Sequence, residues 1–166
     1  MPFLFFGGAG SNVRLHYDFD NSDVFLTQFS GTKKITLFHP NYSDLLYRQP
    51  FTTHSHLNIS CEDFKDNPTY PFLESLVGKI ECGDTLYIPA NYWHFIEYET
   101  GGFSMALRSM NKSNIKAIKG AFNVLAITQM DNLFGKISSK SWANYKLNRA
   151  KTKAERALNA IKEQAQ

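Results

Sequence analysis

Apolar and polar positions alternate in short runs along the first two thirds of the chain, then change to a longer period. Phe3 to Phe6 is a brief apolar run that ends in Gly7-Gly8-Ala9-Gly10-Ser11-Asn12, a flexible turn. From Val13 to Asp18 the alternation predicts a strand with Val13, Leu15 and Tyr17 on one face and Arg14, His16 and Asp18 on the other. Val24–Phe29 and Lys33–Phe38 read as two more strands, and the Ser30-Gly31 break between them predicts a hairpin. Further strands are expected at Gly78–Glu81, Thr85–Ile88, His94–Tyr98 and Phe103–Arg108. Many short strands separated by Gly, Pro and Asn turns predict a sandwich or barrel.

The period changes after Ser109. Ser113 is a plausible N-cap, and Ile115, Ile118, Phe122, Leu125 and Leu133 recur at helical spacing up to a stop at Gly135. A second helix is expected from Ser139 or Ser141, with Trp142, Tyr145, Leu147, Ala154, Leu158 and Ile161 apolar along a basic surface. The expectation is an all-β core with an α appendage: a β domain over residues 1–110, then a basic helical segment over 111–166.

Charge supports that boundary. Residues 1–111 carry seven Lys and Arg against twelve Asp and Glu, a balance of −5, whereas residues 112–166 carry eleven against three, a balance of +8. The basic segment is expected to pack on the β domain or on a second copy, giving a homodimer through 112–166. Its charge would also attract nucleic-acid phosphate, but it holds no recognisable nucleic-acid-binding motif. The 43% hydrophobic content, with 14 Phe and 8 Tyr among 166 residues, is enough for a real core. No apolar run approaches the roughly 18 residues that span a bilayer, so no membrane partner is expected. Two cysteines without metal-like spacing, Cys61 and Cys82, read most simply as reduced thiols of a cytoplasmic protein.

Chemistry gathers at two separated fragments. His16-Tyr17-Asp18 and the later Tyr92-Trp93-His94 together supply two imidazoles and one carboxylate, the ligand set of a facial triad that leaves open positions on a ferrous ion. Residues i and i+2 of a strand share a face, so His16 and Asp18 can reach one ion. A third ligand has to come from another strand, and His94 follows the Pro89-Ala90-Asn91 turn. Taken alone, an H-x-D and one distant histidine describe ordinary strand residues equally well.

Their company narrows the choice. Phe5-Phe6-Gly7-Gly8-Ala9-Gly10-Ser11 with His16-Tyr17-Asp18, then Gln28-Phe29-Ser30-Gly31-Thr32-Lys33-Lys34 with Leu37-Phe38-His39-Pro40, then Gly83-Asp84-Thr85-Leu86-Tyr87-Ile88-Pro89 with Tyr92-Trp93-His94, closely resembles the cupin-like JmjC family, which includes the asparaginyl hydroxylase acting on hypoxia-inducible factor. The resemblance covers roughly residues 3–108. It implies a double-stranded β-helix of the cupin or jelly-roll type and an Fe(II)- and 2-oxoglutarate-dependent dioxygenase. Such an enzyme uses dioxygen to hydroxylate a protein side chain or another acceptor, releasing succinate and carbon dioxide. By the same resemblance His16, Asp18 and His94 are the iron ligands and Lys33 pairs with the distal carboxylate of 2-oxoglutarate. A buried anion needs a paired charge, which suits a lysine there.

The chain departs from the family pattern at Val13, Val24 and Arg108, where Thr, Asn and Asn are common. Arg108 could supply a second cation to an acid, so altered co-substrate handling is expected. Family members also usually carry a region before the Phe-Phe-Gly-Gly strand, and without it an exposed edge strand is expected. Two other readings compete: a non-catalytic cupin-fold binding or assembly module that keeps a metal site, and a cupin isomerase or dioxygenase that does not use 2-oxoglutarate. Acceptor selectivity is expected in residues 40–76. His54 and His56, a second H-x-H, read as loop histidines, His39 as a turn residue, and Asp20, Asp23, Glu62, Asp63 and Asp66 as solvated loop carboxylates.

Overall fold

A computed structural model describes residues 2–61, 64–109 and 128–164. Eight strands form the β domain: β1 (Pro2–Gly7), β2 (Asn12–His16), β3 (Asp23–Ser30), β4 (Lys33–Phe38), β5 (Ser75–Ile80), β6 (Thr85–Ile88), β7 (Trp93–Tyr98) and β8 (Gly102–Ser109). They pair antiparallel into two four-stranded sheets, ordered β1-β8-β3-β6 and β2-β7-β4-β5. Consecutive strands alternate between the sheets except β4 and β5, which pair with each other, as in a double-stranded β-helix. The helices α1 (Thr128–Ile137) and α2 (Ser139–Gln164) follow. Ser113 and the apolar series through Leu125 lie outside the described residues, as do Glu62 and Asp63. The first helix runs two residues beyond Gly135, and the second begins at Ser139 as its sequence predicts.

Two apolar clusters cover the two faces of the β2-β7-β4-β5 sheet, one between the sheets and one under the connection from β4 to β5. One gathers Val24, Leu26, Ile35, Leu37, Ile80, Ile88 and Ala106, and the other Leu15, Phe38, Leu46, Trp93 and Phe95. Trp93 is fully buried and still satisfies its indole N–H by donating to Ser43 Oγ at 3.0 Å, as a buried tryptophan must. The metal-side strands are therefore held by a packed interior. β1 forms an edge of its sheet with exposed faces at Leu4 and Phe6.

Two expectations need correction. β3 and β4 do not form a hairpin: β3 pairs with β6 and β8, whereas β4 pairs with β5 and β7. Gly31, at φ +75°, instead turns the chain from one sheet into the other beside a register shift between Gln28 and Ser30. The alternation across β2 is also interrupted. Val13 pairs with Ile96 and His16 with His94, so three steps on β2 match two on β7, which is a β-bulge. The bulge turns Val13, His16 and Asp18 toward one cavity, leaves Leu15 in the core and sends Arg14 outward to the exposed side.

The sheet-to-sheet corner allows no side chain at Gly102, where a Cβ would stand 1.9 Å from the Ser30 carbonyl oxygen. Gly102→Ala is expected to lower unfolding stability by about 2 kcal/mol or more, read from urea denaturation. A change under about 0.5 kcal/mol, the range of neutral surface substitutions, would show that the corner is not tightly packed.

Candidate metal centre

Cross-strand pairing builds the centre. His16 ends β2 directly opposite His94, the second residue of β7, and their rings lie 4.2 Å apart between centroids. Asp18 follows two residues after the strand. One ligand atom from each of His16, Asp18 and His94 falls within 4.8 Å of the others. The three residues proposed from the sequence are thus brought together, with His94 near the start of β7 where a strand is expected.

The imidazoles are prepared as neutral donors. Burial, reinforced by His94, pulls His16 down to about 4, and burial also lowers His94. His16 Nδ1 lies 2.7 Å from the Arg14 carbonyl oxygen, and His94 Nδ1 lies 3.1 Å from that of Tyr92. As the carbonyl can only accept, each Nδ1 carries the proton and each Nε2 keeps its lone pair for a metal. Two neutral imidazoles and a carboxylate fit a divalent iron ion by donor type.

The ligand trio opens into a cavity of about 100 Å³ between the sheets, walled by Val24, Leu26, Ile88, Ile96 and Ala106 and closed at its polar points by Lys33, Tyr98 and Arg108. Lys33 is 1% exposed. Its ammonium donates to Ser104 Oγ and sits 4.3 Å over the Tyr98 ring. Among the described residues no carboxylate pairs with it. Burial alone therefore lowers Lys33 to about 8. Lys34 alternates outward, 3.8 Å from Glu97.

At the other end of the cavity Arg108 Nη2 donates to Asp18 Oδ1 at 2.9 Å and Nη1 to both oxygens of Asp20 at 2.9 Å. Asp20 is thus an ion-pair partner rather than a solvated carboxylate. Asp23 is likewise engaged, accepting from Ala90 N and the Tyr87 hydroxyl. The missed contributors, Asp20, Tyr98 and Ser104, are polar residues of ordinary types, and only three-dimensional pairing distinguishes them. His54 stacks beside His16 at 5.6 Å through an isolated bridge but stands outside the ligand trio. His56 is half-buried on the same loop, and His39 caps the turn at Pro40–Tyr42 as expected. Cys61 and Cys82 are free and exposed.

The profile of the family described as "Cupin-like domain" matches residues 2–115. Among curated relatives, the tRNA wybutosine-synthesizing protein 5 of Mus musculus is 36% identical over 93 residues, which is 56% of this chain and 29% of that protein. The JmjC domain-containing protein D of Dictyostelium discoideum is 32% identical over 103 residues, 60% of this chain and 22% of that one. The Jumonji C domain-containing protein 5 of Drosophila melanogaster is 33% identical over 109 residues, 60% and 25% respectively. The chain spans less than a third of the length of these relatives.

A buried ammonium with no carboxylate partner among the described residues is a cost to the fold. Below about pH 8 both folded and unfolded states hold the Lys33 proton and the cost is complete. It fades as pH rises from about 8 toward 10.5, where only the unfolded state still binds the proton. Lys33→Met is expected to stabilise the metal-free protein at pH 7 by about 1 to 3 kcal/mol. Thermal unfolding across pH reads this, and a destabilised variant would contradict it.

Proposed function

Given that the chain belongs to the cupin-like domain family of JmjC type, we propose that it is an Fe(II)- and 2-oxoglutarate-dependent dioxygenase that hydroxylates a protein side chain or another acceptor. One observation carries the reading: the His16, Asp18 and His94 trio shares a single cavity with a fully buried lysine that has no carboxylate partner among the described residues. A built metal site explains the first half, and an anionic co-substrate explains the second.

Each residue then has a part. His16 and His94 would offer Nε2 and Asp18 a carboxylate oxygen to iron, leaving the remaining positions open. Lys33 would hold the far carboxylate of 2-oxoglutarate, with Ser104 and Tyr98 keeping the ammonium in place, and Arg108 would meet its near end. Iron and co-substrate, when bound, would supply the oxidising chemistry that yields succinate, carbon dioxide and a hydroxylated product. The apolar walls exclude water, so the ammonium–carboxylate attraction is little screened.

The acceptor would approach over residues 40–76, where the sequence places selectivity and most of which form the connection between β4 and β5. The names of the relatives, one of them a tRNA-modifying protein, leave open a protein, small-molecule or nucleic-acid acceptor. We place the protein in the cytoplasm on the evidence of two free thiols. No helix among the described residues is long and apolar enough to cross a membrane. The basic segment 112–166 is proposed as a packing or dimerisation surface, and Ala150, Ala154 and Leu158 are buried at a spacing of four along α2. The Arg108–Asp18 ion pair favours one alternative, a cupin-fold binding module that keeps a metal site without turnover. Metal binding with no succinate formed under any acceptor would select it.

Succinate release from 2-oxoglutarate under aerobic conditions is the direct assay. His16→Ala and Asp18→Ala are expected to abolish it while far-ultraviolet circular dichroism stays unchanged, and full turnover in either variant would sink the proposal. Because Lys33 titrates near 8 in the empty cavity, affinity for 2-oxoglutarate is expected to fall as pH rises above that value. A flat affinity between pH 7 and 10 would remove Lys33 from the anion site.

A further inference from the structure

Asp20 and Ser22 lie in the connection between β2 and β3, outside the ligand trio, yet they form part of one polar chain with it. Ser22 is 2% exposed and donates from its hydroxyl to Asp20 Oδ1 at 2.8 Å and from its backbone N–H at 3.3 Å. Those contacts fix the Asp20 carboxylate. Its two oxygens then grip Arg108 Nη1, each at 2.9 Å, while Nη2 reaches Asp18 Oδ1 at 2.9 Å. The Phe3 ring covers the guanidinium at 5.1 Å. A planar guanidinium held by both terminal nitrogens has no rotational freedom left. Its Nε–H is buried and has no partner among the described residues.

We propose that Asp20, acting through Arg108, is a positioning residue for the acid that enters the cavity. This deepens the metal and co-substrate reading above and rests on it. Native structures rarely leave a buried donor unpaired without a reason, and Arg108 lines the cavity that holds the trio. The structure assigns that Nε–H to a carboxylate oxygen of the bound acid. Holding Nη2 on Oδ1 of Asp18 keeps the guanidinium beside the ligand trio, where its Nε–H can meet the acid.

The test uses the full chain with Mn(II) as an oxygen-insensitive probe of the metal site, counted by electron paramagnetic resonance, and isothermal titration with 2-oxoglutarate. Arg108→Lys keeps the charge but loses the planar fork and the Nε–H. It is expected to weaken acid binding to the Mn(II)-loaded protein by roughly tenfold to a hundredfold, the range of a lost charge-assisted hydrogen bond, while Mn(II) affinity changes far less. Asp20→Asn is expected to weaken acid binding in the same direction, and Asp20→Glu to recover most of it. A residue with only a structural role would not split metal affinity from acid affinity. Acid affinity within about twofold of wild type, well under the tenfold that 1.4 kcal/mol represents, in both Arg108→Lys and Asp20→Asn would overturn the inference. So would losses of metal and acid affinity in equal measure. A wild-type chain that binds no Mn(II) would instead overturn the metal reading, and this inference with it.

Discussion

The site depends on one cross-strand pair, His16 opposite His94. Antiparallel pairing of β2 with β7 sets these histidines face to face, and the β-bulge between Val13 and His16 decides which residues accompany them. With a regular ladder, strict alternation would send Val13 to the other face from His16. One extra residue in β2 instead brings Val13, His16 and Asp18 to a common cavity and leaves Arg14 outside. Bulges re-aim side chains in this way near functional sites. The pair is held in turn by buried Trp93 and Phe95 on β7 and by Leu15 on β2, which anchor the histidine-bearing backbones from the core side.

Electrostatics gives the cavity its direction. Burial keeps both imidazoles neutral, which is the form a metal requires. At the far side burial acts against Lys33, whose charge meets a hydroxyl and an aromatic face among the described residues. A carboxylate ligand and a buried cation at separate points of one apolar chamber favour a ligand that is itself an acid and that spans the two. Arg108 adds a second cation already engaged by two carboxylates, so the near end is tuned rather than simply positive. The arrangement lowers the stability of the empty protein in favour of the occupied one.

Much of this was legible in the sequence because strand patterning is local. Seven of the eight strands coincide with the runs read from the sequence, β5 beginning at Ser75 instead of the expected Gly78, and the residue types of the ligand trio were visible in His16-Tyr17-Asp18 and His94. Lys33 came from the family resemblance, and strand alternation sends its neighbour Lys34 to the opposite face. What the sequence hid were the non-local partners. Nothing local shows that Ser30-Gly31 is a crossover between sheets, since a hairpin and a corner need the same positive φ. A bulge leaves no compositional mark, so Arg14 was placed on the wrong face. Asp20 looked like a loop carboxylate because its partner, Arg108, is distant in sequence and adjacent only once β8 closes against β3.

The central claim is that one chamber holds both iron and an acid chelated to it. An anaerobic titration of the purified chain with Fe(II), followed by 2-oxoglutarate, tests this by the visible charge-transfer band of the chelated complex. The account predicts a band that appears only when both are present and disappears in Asp18→Ala. Iron binding without a band in the wild-type chain would contradict it, leaving a metal-binding cupin barrel in place of an oxygenase.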